Sequence, residues 1–308
     1  MNTMPELPEV ETIRHQLQQK IAGKTIKSVE VRYPKVVHGM SATEFARAIQ
    51  NKKIKDIGRQ GKLVLIRFDG NTLVVHLKMT GRLLFHNPPH PSLTLREGVK
   101  KFPPLRVRPA SPAKRGEGGA GGVTKSTEVV FTFTNGTVLH YDDIRRFGYM
   151  KIVPTDEEAK FVQKEQLGID FFDKAMIFEN FRDLIRSRGG SQIKPLLMKQ
   201  SLIAGIGNIY AQEACFEARV HPLRKANTLS DRELKELHNA LRAIMQKAVK
   251  YHGSSVDAFV DAYGQPGKFV PHLKVYGREG EPCRRCKTQL VKKNIGGRGT
   301  VFCPKCQT

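Results

Sequence analysis

The strongest constraint on the fold comes from four cysteines near the C-terminal end. Cys283 and Cys286 form one Cys-x2-Cys pair, and sixteen residues separate it from the second pair, Cys303 and Cys306. Each pair directs two thiolates to one point, and tetrahedral zinc needs four ligands. The spacing predicts a zinc ribbon on a β-hairpin, with one structural Zn²⁺ and no open coordination position. A redox dithiol is the alternative, which the pairing of the motifs disfavours.

The charge of the chain indicates the kind of partner it binds. The 308 residues include 52 Lys and Arg against 29 Asp and Glu, a formal net charge of +23. Such a field attracts polyanions: nucleic acid, an anionic membrane surface or acidic proteins. The absence of a long uncharged apolar run excludes a membrane-spanning protein, and the first residues do not have the apolar core of a secretory signal. We therefore expect a cytoplasmic protein without structural disulfides.

The hydrophobic pattern divides the chain into a β-rich half and a helical half. Residues 10–21 have apolar side chains at intervals of three or four, which is typical of a helix. Residues 25–86 and 128–141 read as strands, with a hairpin turn at Asn135-Gly136. This pattern predicts a leading helix followed by an antiparallel sandwich or barrel. Residues 155–252 have helical periodicity and predict a compact helical domain.

Residues 87–127 interrupt the strand pattern. They contain seven prolines, six glycines and eight Lys or Arg against two Glu. We interpret this stretch as a flexible basic insertion in a loop between strands, where it acts as a solvated linker. Non-specific contact with a nucleic-acid backbone is the alternative.

Three short motifs contain candidate binding residues, and each also has a plainer structural explanation. Gly205–Asn208 opens a helix, so its free N–H groups suit a phosphate, although a cap without a ligand is the default. Arg145 and Arg146 suit phosphates or bases and Phe147 suits a wedge between bases, but such a motif is more often a solvated turn with one core Phe. Arg298 lies at a glycine-flanked hairpin tip, where either a phosphate contact or a plain surface arginine is consistent with the spacing.

The segment Met4-Pro5-Glu6 begins the first helix. Removal of the Met would expose the secondary amine of Pro5, which is nucleophilic when deprotonated. An α-amino group has a pKa near ~8, and a helix N-terminus lowers it. Glu6 would then lie beside the nucleophile as a proton shuttle. A proline-initiated helix with an acidic first turn explains the local sequence equally simply, and the segment alone favours that explanation.

Taken together, the motifs resemble the bacterial formamidopyrimidine-DNA glycosylase family of the MutM type. The resemblance covers nearly the whole chain except residues 1–3 and 87–127. The motifs occur in family order: PELPEVE at 5–11, GKLVL at 61–65, HLKMTG at 76–81, RRFG at 145–148, IKP at 193–195, GIGNIYAQE at 205–213, PGKF at 266–269, VYGREGEPC at 275–283 and the four cysteines.

The resemblance implies an α+β multidomain fold. A catalytic antiparallel β-sandwich domain with a leading helix would occupy residues 5–153, with the flexible basic insertion at 87–127. A helix-two-turns-helix DNA-binding domain would occupy 155–263, and a lesion-capping loop with a four-cysteine zinc finger would occupy 264–308.

The resemblance also implies a bifunctional DNA glycosylase and AP lyase of base excision repair. It would flip an oxidised purine, such as 8-oxoguanine or a formamidopyrimidine, out of duplex DNA. Pro5 would form a Schiff base with the sugar, Glu6 would handle protons, and β,δ-elimination would follow. The alternatives are an endonuclease VIII-like glycosylase for oxidised pyrimidines and a non-catalytic zinc-ribbon DNA-binding protein. The expected protein is a nucleoid-associated monomer whose partner is damaged double-stranded DNA, with no membrane association.

Family positions imply roles for residues near the reacting sugar. Lys62 would contact a phosphate and contribute to elimination. Arg298 would grip a phosphate and take part in the δ step. Glu9 and Lys194 would orient the sugar or the lesion, and the loop at 264–272 would close over the flipped base.

Other family positions imply contacts with the opened duplex. Met79, Arg145 and Phe147 would fill the gap left by the flipped nucleotide, with Arg145 reading the orphaned cytosine. Arg146 and Asn208 would grip phosphates near the lesion.

Residues 1–3 extend beyond the family pattern, in which chains begin at the position of Met4. If they stay attached, Pro5 is an internal amide with no basic nitrogen, and the covalent chemistry fails. We therefore expect Met4 to be the true start and its removal to expose Pro5.

Overall fold

The computed structural model describes residues 4–87 and 122–308, so most of the predicted insertion at 87–127 lies outside the described residues. The helices of the described part are α1 Leu7–Ile21, α2 Ala42–Ile49, α3 Glu158–Lys164, α4 Phe178–Arg186, α5 Ile193–Leu197, α6 Asn208–Glu217 and α7 Asp231–Lys250. Its strands are β1 Ile26–Val31, β2 Asp56–Gln60, β3 Leu63–Arg67, β4 Asn71–His76, β5 Gly81–His86, β6 Thr127–Phe133, β7 Val138–Asp143, β8 Tyr149–Pro154, β9 Ile169–Asp170, β10 Ile203–Ala204, β11 Val291–Ile295 and β12 Arg298–Phe302.

Eight of these strands form a β-sandwich. One four-stranded sheet has the order β1-β6-β7-β5 and the other the order β2-β3-β4-β8, with antiparallel neighbours throughout. Alternate residues of both sheets, such as Val75 and Phe131, enter a shared apolar core. The predicted sandwich is confirmed, and Asn135-Gly136 lies in the turn between β6 and β7 as predicted.

Helix α1 lies at the junction of the sandwich and the helical domain. Val10, Ile13 and Leu17 pack into the sandwich core, whereas Leu7, one turn earlier, belongs to the core of the helical domain. Pro8 is accommodated in the first turn, where its missing N–H has no helical partner to lose. The first turn of α1 is therefore held between two separate cores.

The helical domain is built from α4 to α7, with the parallel pair β9 and β10 at its edge. Ser230 caps α7 in a capping box with Glu233, as its sequence predicts. Helix α3, which follows the sandwich strands in the chain, packs on the sandwich. Phe161 lies in a cluster with β3 and β4 residues, and Glu158 Oε1 pairs with Arg67 Nη2 at 2.7 Å.

A buried ion cluster joins the two domains. Arg59, at 7% exposure, donates from Nη2 to Asp170 Oδ1 at 2.9 Å and from Nε to Glu11 Oε2 at 2.9 Å. Asp170 also accepts the backbone N–H of Gly61 at 2.6 Å. Because a buried charge is costly unless paired, these contacts fix the β2–β3 turn against the helical domain.

The C-terminal segment forms the predicted hairpin. Strands β11 and β12 pair antiparallel, and Gly296-Gly297 makes the turn before Arg298. The hairpin packs on α6, where Gln212 Oε1 accepts the N–H of Val301 at 2.9 Å. Within residues 4–87 and 122–308, each helix is too short or too polar to cross a membrane.

Candidate active site and nucleic-acid interface

A pocket of about 880 Å³ opens where the sandwich, the helical domain and the hairpin meet. Its walls bring together six residues predicted from the sequence to act in the site: Glu6, Lys62, Met79, Phe147, Asn208 and Arg298. Met4 also lines it, and Pro5 is buried beside it. A volume of this order suits a small molecule or a single nucleotide.

Glu6 is anchored by a helix to which it does not belong. Its Oε1 accepts the N–H of Ile209 at 2.8 Å and its Oε2 that of Tyr210 at 3.4 Å, both in the first turn of α6. A Cβ on Gly207 would lie 2.3 Å from Glu6 Cδ, so only glycine leaves room for the carboxylate. Burial raises the pKa of Glu6, and the charge of Lys62 opposes that rise. A carboxyl with a raised pKa is suited to giving and taking a proton near neutral pH.

The turn that precedes α6 has a conformation that its glycine allows. Gly205 has a φ of +102°, which L side chains rarely adopt, and its carbonyl accepts the N–H of Leu7 at 3.0 Å. Gln200 braces the same turn, accepting from Gly205 N at 3.0 Å and donating to Ile206 O at 2.7 Å. The turn thus ties the start of α1 to the start of α6.

Glu9 lies beneath the pocket. Its Oε2 accepts the N–H of Glu6 at 2.9 Å, and its Oε1 accepts from Tyr210 Oη at 2.6 Å and Ser254 N at 2.7 Å. Burial, and secondarily the charge of Glu6, raises the pKa of Glu9 to about 7. Among the described residues, the pocket wall does not include Glu9, so in this structure its carboxylate holds the N-terminal segment.

Two lysines predicted to act in the site are largely withdrawn from solvent. Lys62 is 7% exposed at the pocket wall, and burial lowers its pKa. Lys194 is fully buried and donates to Asn208 Oδ1 at 2.5 Å, and burial lowers its pKa to about 8. Asn208 in turn donates from Nδ2 to Gly299 O at 3.3 Å. This chain of contacts connects the helical domain to the hairpin that carries the exposed Arg298.

Two neighbouring turns of the sandwich, one between β4 and β5 and one between β7 and β8, bring three side chains together. These are Met79 on the first turn and Arg145 and Phe147 on the second. Arg145 donates from Nη1 to Met79 Sδ at 3.3 Å, and its guanidinium lies 4.7 Å from the ring centre of Phe147. The ring of Phe147 is 52% exposed, and such a large exposed aromatic indicates a binding surface. Arg146 lies apart from this group, with its guanidinium 4.3 Å from the ring centre of Tyr33 and its Nε 3.7 Å from Glu128.

The glycines that end the two turn motifs both pack on Tyr141. A Cβ on Gly148 would lie 1.7 Å from the Tyr141 hydroxyl oxygen, and one on Gly81 would lie 2.7 Å from it. Larger residues at either position would push the turns away from the sandwich core. The close approach explains why RRFG and HLKMTG both end in glycine.

The four cysteines form one cluster whose geometry fits zinc. All four sulfurs lie within 4.8 Å of one another, with Cys283 and Cys306 at 3.9 Å and Cys286 and Cys303 at 3.4 Å. A tetrahedral site with Zn–S bonds of about 2.3 Å has sulfurs about 3.8 Å apart. Backbone N–H groups also donate to the sulfurs of Cys283 and Cys303, at 3.4 Å in both cases. The donor set and spacing therefore match a closed zinc site.

Comparison with known families accounts for all three parts of the chain. Residues 4–150 match the family model "Formamidopyrimidine-DNA glycosylase N-terminal domain", and residues 167–260 match the model of that enzyme's H2TH domain. Residues 280–308 match "Zinc finger found in FPG and IleRS". The chain belongs to the formamidopyrimidine-DNA glycosylase family.

Individual members of this glycosylase family match over full length. The formamidopyrimidine-DNA glycosylase of Pelotomaculum thermopropionicum is 40% identical over 305 residues, 99% of each chain. That of Bacillus subtilis is 37% identical over 306 residues, again 99% of each chain. The Lactococcus lactis Fpg, solved in complex with DNA that contains an abasic site, is 32% identical with a TM-score of 0.82, covering 98% of this chain and 99% of that one.

Some residues that build this glycosylase site escaped the sequence reasoning. Asp143 is one of them, because it lies just before the RRFG motif and binds both turns next to the pocket. Gln200, and the Arg59–Asp170 pair, support the site from outside any motif. Gln200 lies five residues before Gly205, and nothing in the local sequence marks it as a support of the turn.

Proposed function

We propose that this chain is a bifunctional DNA glycosylase and AP lyase that excises oxidised purines from duplex DNA through a Schiff base on Pro5. The observation that carries the proposal is the set of residues that line the pocket. Glu6, next to Pro5, accepts a hydrogen bond from the N-terminus of α6, and Lys62 and the Arg298 hairpin tip line the same pocket. A nucleophile, a proton carrier and cationic groups converge on one volume, as a base-excision site requires.

The first step needs a free amine at Pro5, so cleavage after Met4 is part of the proposal. The lone pair of the nitrogen bonds to C1′ of the flipped nucleotide and the bond from C1′ to the base breaks. The base leaves with the proton that the attacking nitrogen gives up. Glu6, with its pKa raised by burial, delivers a proton to the sugar ring oxygen as the ring opens to an iminium. Since Met4 lines the pocket, its removal also frees space for the sugar.

The iminium prepares the strand for cleavage. It acidifies the C2′ proton, and loss of that proton expels the 3′ phosphate in β-elimination. A second elimination expels the 5′ phosphate. Lys62 and Arg298, both at the pocket wall, are the cations placed to attract these phosphates, and the pKa of Lys62, lowered by burial, makes its neutral amine accessible as a base.

The opened duplex needs support while the nucleotide is outside it. We assign this to Met79, Arg145 and Phe147, whose mutual contacts hold them together at the pocket rim. Filling the gap with an apolar wedge offsets the lost stacking, and the guanidinium of Arg145 has the donors to read a base edge. Phosphate contacts, or support for the side chains that make them, come from Asn208, Lys194 and Arg146. Glu9 orients the N-terminal segment.

One structural zinc ion completes the proposal. Four thiolates leave no position for a substrate, so the ion would hold the hairpin and no step is routed through it. Its role is to keep Arg298 at the pocket, through the packing of the hairpin on α6.

Borohydride trapping tests the covalent step. Purified protein, its N-terminus defined by intact mass, is mixed with duplex containing 8-oxoguanine opposite cytosine, and borohydride reduces any iminium to a stable amine. The expected result is a covalent adduct mapped to Pro5, formed only by molecules that start at Pro5. Active protein that retains Asn2 or Thr3, or the absence of any adduct from protein starting at Pro5, would contradict the proposal and favour a non-catalytic DNA-binding protein.

A substrate comparison separates the purine and pyrimidine alternatives. A mutant of the Lactococcus lactis Fpg has been solved with Fapy-dG-containing DNA, and the wild type with oxidised-pyrimidine-containing DNA, so both substrate classes are tested. Single-turnover rates are compared on duplexes with 8-oxoguanine opposite cytosine and with thymine glycol. We expect the purine lesion to be processed faster, and the reverse order would support the endonuclease VIII-like alternative.

A further inference from the structure

Asp143 is a fully buried carboxylate at the end of β7 whose hydrogen bonds all go to the two turns at the pocket rim. Its Oδ1 accepts from the hydroxyl of Thr80 and from the N–H of Arg145 at 3.0 Å. Its Oδ2 accepts from the N–H of Phe147 at 3.0 Å and of Gly148 at 2.8 Å. Four donors on one carboxylate saturate its usual acceptor positions.

These contacts determine the shape of the second turn. Arg146, between the bonded residues, has a φ of +57°, a left-handed conformation that an arginine adopts at a cost. The bonds from Asp143 to the residues on both sides, Arg145 and Phe147, offset that cost. The turn therefore depends on a buried anion next to it.

Thr80 links this carboxylate to the first turn. Its hydroxyl donates to Asp143 Oδ1 and accepts the N–H of Arg145 at 3.1 Å. Thr80 directly follows Met79, whose sulfur contacts the guanidinium of Arg145. The Asp143–Thr80 pair thus sets the distance between Met79 on the first turn and Arg145 and Phe147 on the second.

We propose that Asp143, through Thr80, is a positioning residue that makes Met79, Arg145 and Phe147 enter the duplex as one unit and so sets the preference for the base opposite the lesion. This inference rests on the proposed function, because it presumes that the three side chains fill the gap left by the flipped nucleotide. It adds a residue that itself touches no DNA.

The test uses two duplexes that contain a tetrahydrofuran abasic analogue. In one, 2-aminopurine lies opposite the analogue, and in the other it lies next to it. The fluorescence of 2-aminopurine rises when the three side chains enter the duplex and unstack it. This measurement is combined with 8-oxoguanine excision opposite cytosine and opposite adenine. Asp143→Asn exchanges one acceptor oxygen for a donor and should lose two of the four bonds. We expect a smaller 2-aminopurine rise and a cytosine-to-adenine rate ratio about tenfold lower than in wild type. The rate of strand scission at an abasic site is also measured in duplex and in single-stranded DNA. The ratio of the duplex rate to the single-strand rate should fall in Asp143→Asn as well.

Two further variants make the result decisive. Asp142→Asn is the matched control: Asp142 is also buried on β7, and its Oδ1 has no hydrogen-bond partner in the described structure, so it should keep the wild-type ratios. Thr80→Val removes only the hydroxyl and should repeat the effect of Asp143→Asn, whereas Thr80→Ser should restore wild-type behaviour. Wild-type ratios in Asp143→Asn, or in Thr80→Val if the first variant does not fold, would overturn the inference. A wild-type enzyme that shows neither excision nor a 2-aminopurine rise would instead contradict the proposed function.

Discussion

Glu6 and Ile209 lie 203 positions apart in the chain, yet the N–H of Ile209 donates a 2.8 Å hydrogen bond to Glu6 Oε1. The proposed proton carrier is therefore held by the helical domain as well as by the capping box at the start of its own helix. The free N–H groups of a helix N-terminus, which the sequence suggests as a phosphate site, here bind a carboxylate of the same protein. Any change that moves α6 relative to α1 should move the carboxyl of Glu6.

Substitution of Gly207 by Ala should impair base excision with little change in folding. The added Cβ would lie 2.3 Å from Glu6 Cδ, so the carboxylate must move away from its two N–H donors. A displacement of about 1 Å at a catalytic group lowers rates by roughly 100-fold. Single-turnover excision of 8-oxoguanine measures the loss, and thermal melting checks the fold.

The matched control for that variant is Gly190→Ala. Gly190 has nothing within 4 Å of an added Cβ, so the control should keep the wild-type rate. A Gly207→Ala protein that melts normally and excises at the wild-type rate would show that the placement of Glu6 is not critical.

Much of the fold follows from local signals in the sequence. Residues 10–21 form a helix because their apolar positions recur at helical spacing, and Ser230 starts α7 because its hydroxyl caps the free N–H of Glu233. The four cysteines cluster as their spacing predicts. Each of these features depends on residues close in sequence, which is why the sequence alone suffices.

The supporting residues of the site could not be predicted in the same way. Asp170 and Arg59 are separated by 111 positions, and Asp143 and Thr80 by 63. The partners of these residues depend on how domains and turns pack. From the local sequence, a buried aspartate before a turn cannot be distinguished from a solvated aspartate. The packing of α3 on the sandwich has the same cause, since it depends on contacts such as that of Glu158 with Arg67.

Replacement of Asp170 by Asn should destabilise the protein strongly. Asp170 is 5% exposed and Arg59 is 7% exposed, so the variant leaves a buried guanidinium with only Glu11 to balance it. Removing one partner of a buried ion pair costs about 3–5 kcal/mol. Urea unfolding measures the change. Asp183→Asn, which breaks the pair of Arg182 with a 66% exposed carboxylate, should cost less than about 1 kcal/mol, and equal losses in the two variants would contradict this reasoning.

The contribution of Glu9 to the stability of the protein should fall as pH rises from about 4.5 to about 7. Burial raises the pKa of Glu9 from 4.5 to about 7, so between these values the folded state binds more protons than the unfolded state. The free energy of unfolding therefore decreases with rising pH, by at most about 1.4 kcal/mol per pH unit for one group. Glu9→Gln cannot titrate and should show a shallower decrease in urea unfolding across this range.

The control for this pH dependence is Glu279→Gln, at an exposed carboxylate paired with Lys292. It should keep the wild-type slope. An unchanged slope in Glu9→Gln would mean that the carboxyl of Glu9 titrates normally in the folded protein.

Loss of one cysteine of the cluster should remove the metal and loosen the hairpin that carries Arg298. Cys303 is fully buried and its sulfur lies 3.4 Å from that of Cys286, so Cys303→Ser should lower the zinc content from one ion per chain towards zero. The melting temperature should fall by about 5 °C or more, and affinity for abasic-site DNA should fall with it because the hairpin no longer holds Arg298 at the pocket. Cys215→Ala is the matched control, since Cys215 is equally buried in the helical core, away from the cluster. Elemental analysis that finds wild-type zinc in Cys303→Ser, or none in the wild type, would refute the assignment of the four cysteines as ligands.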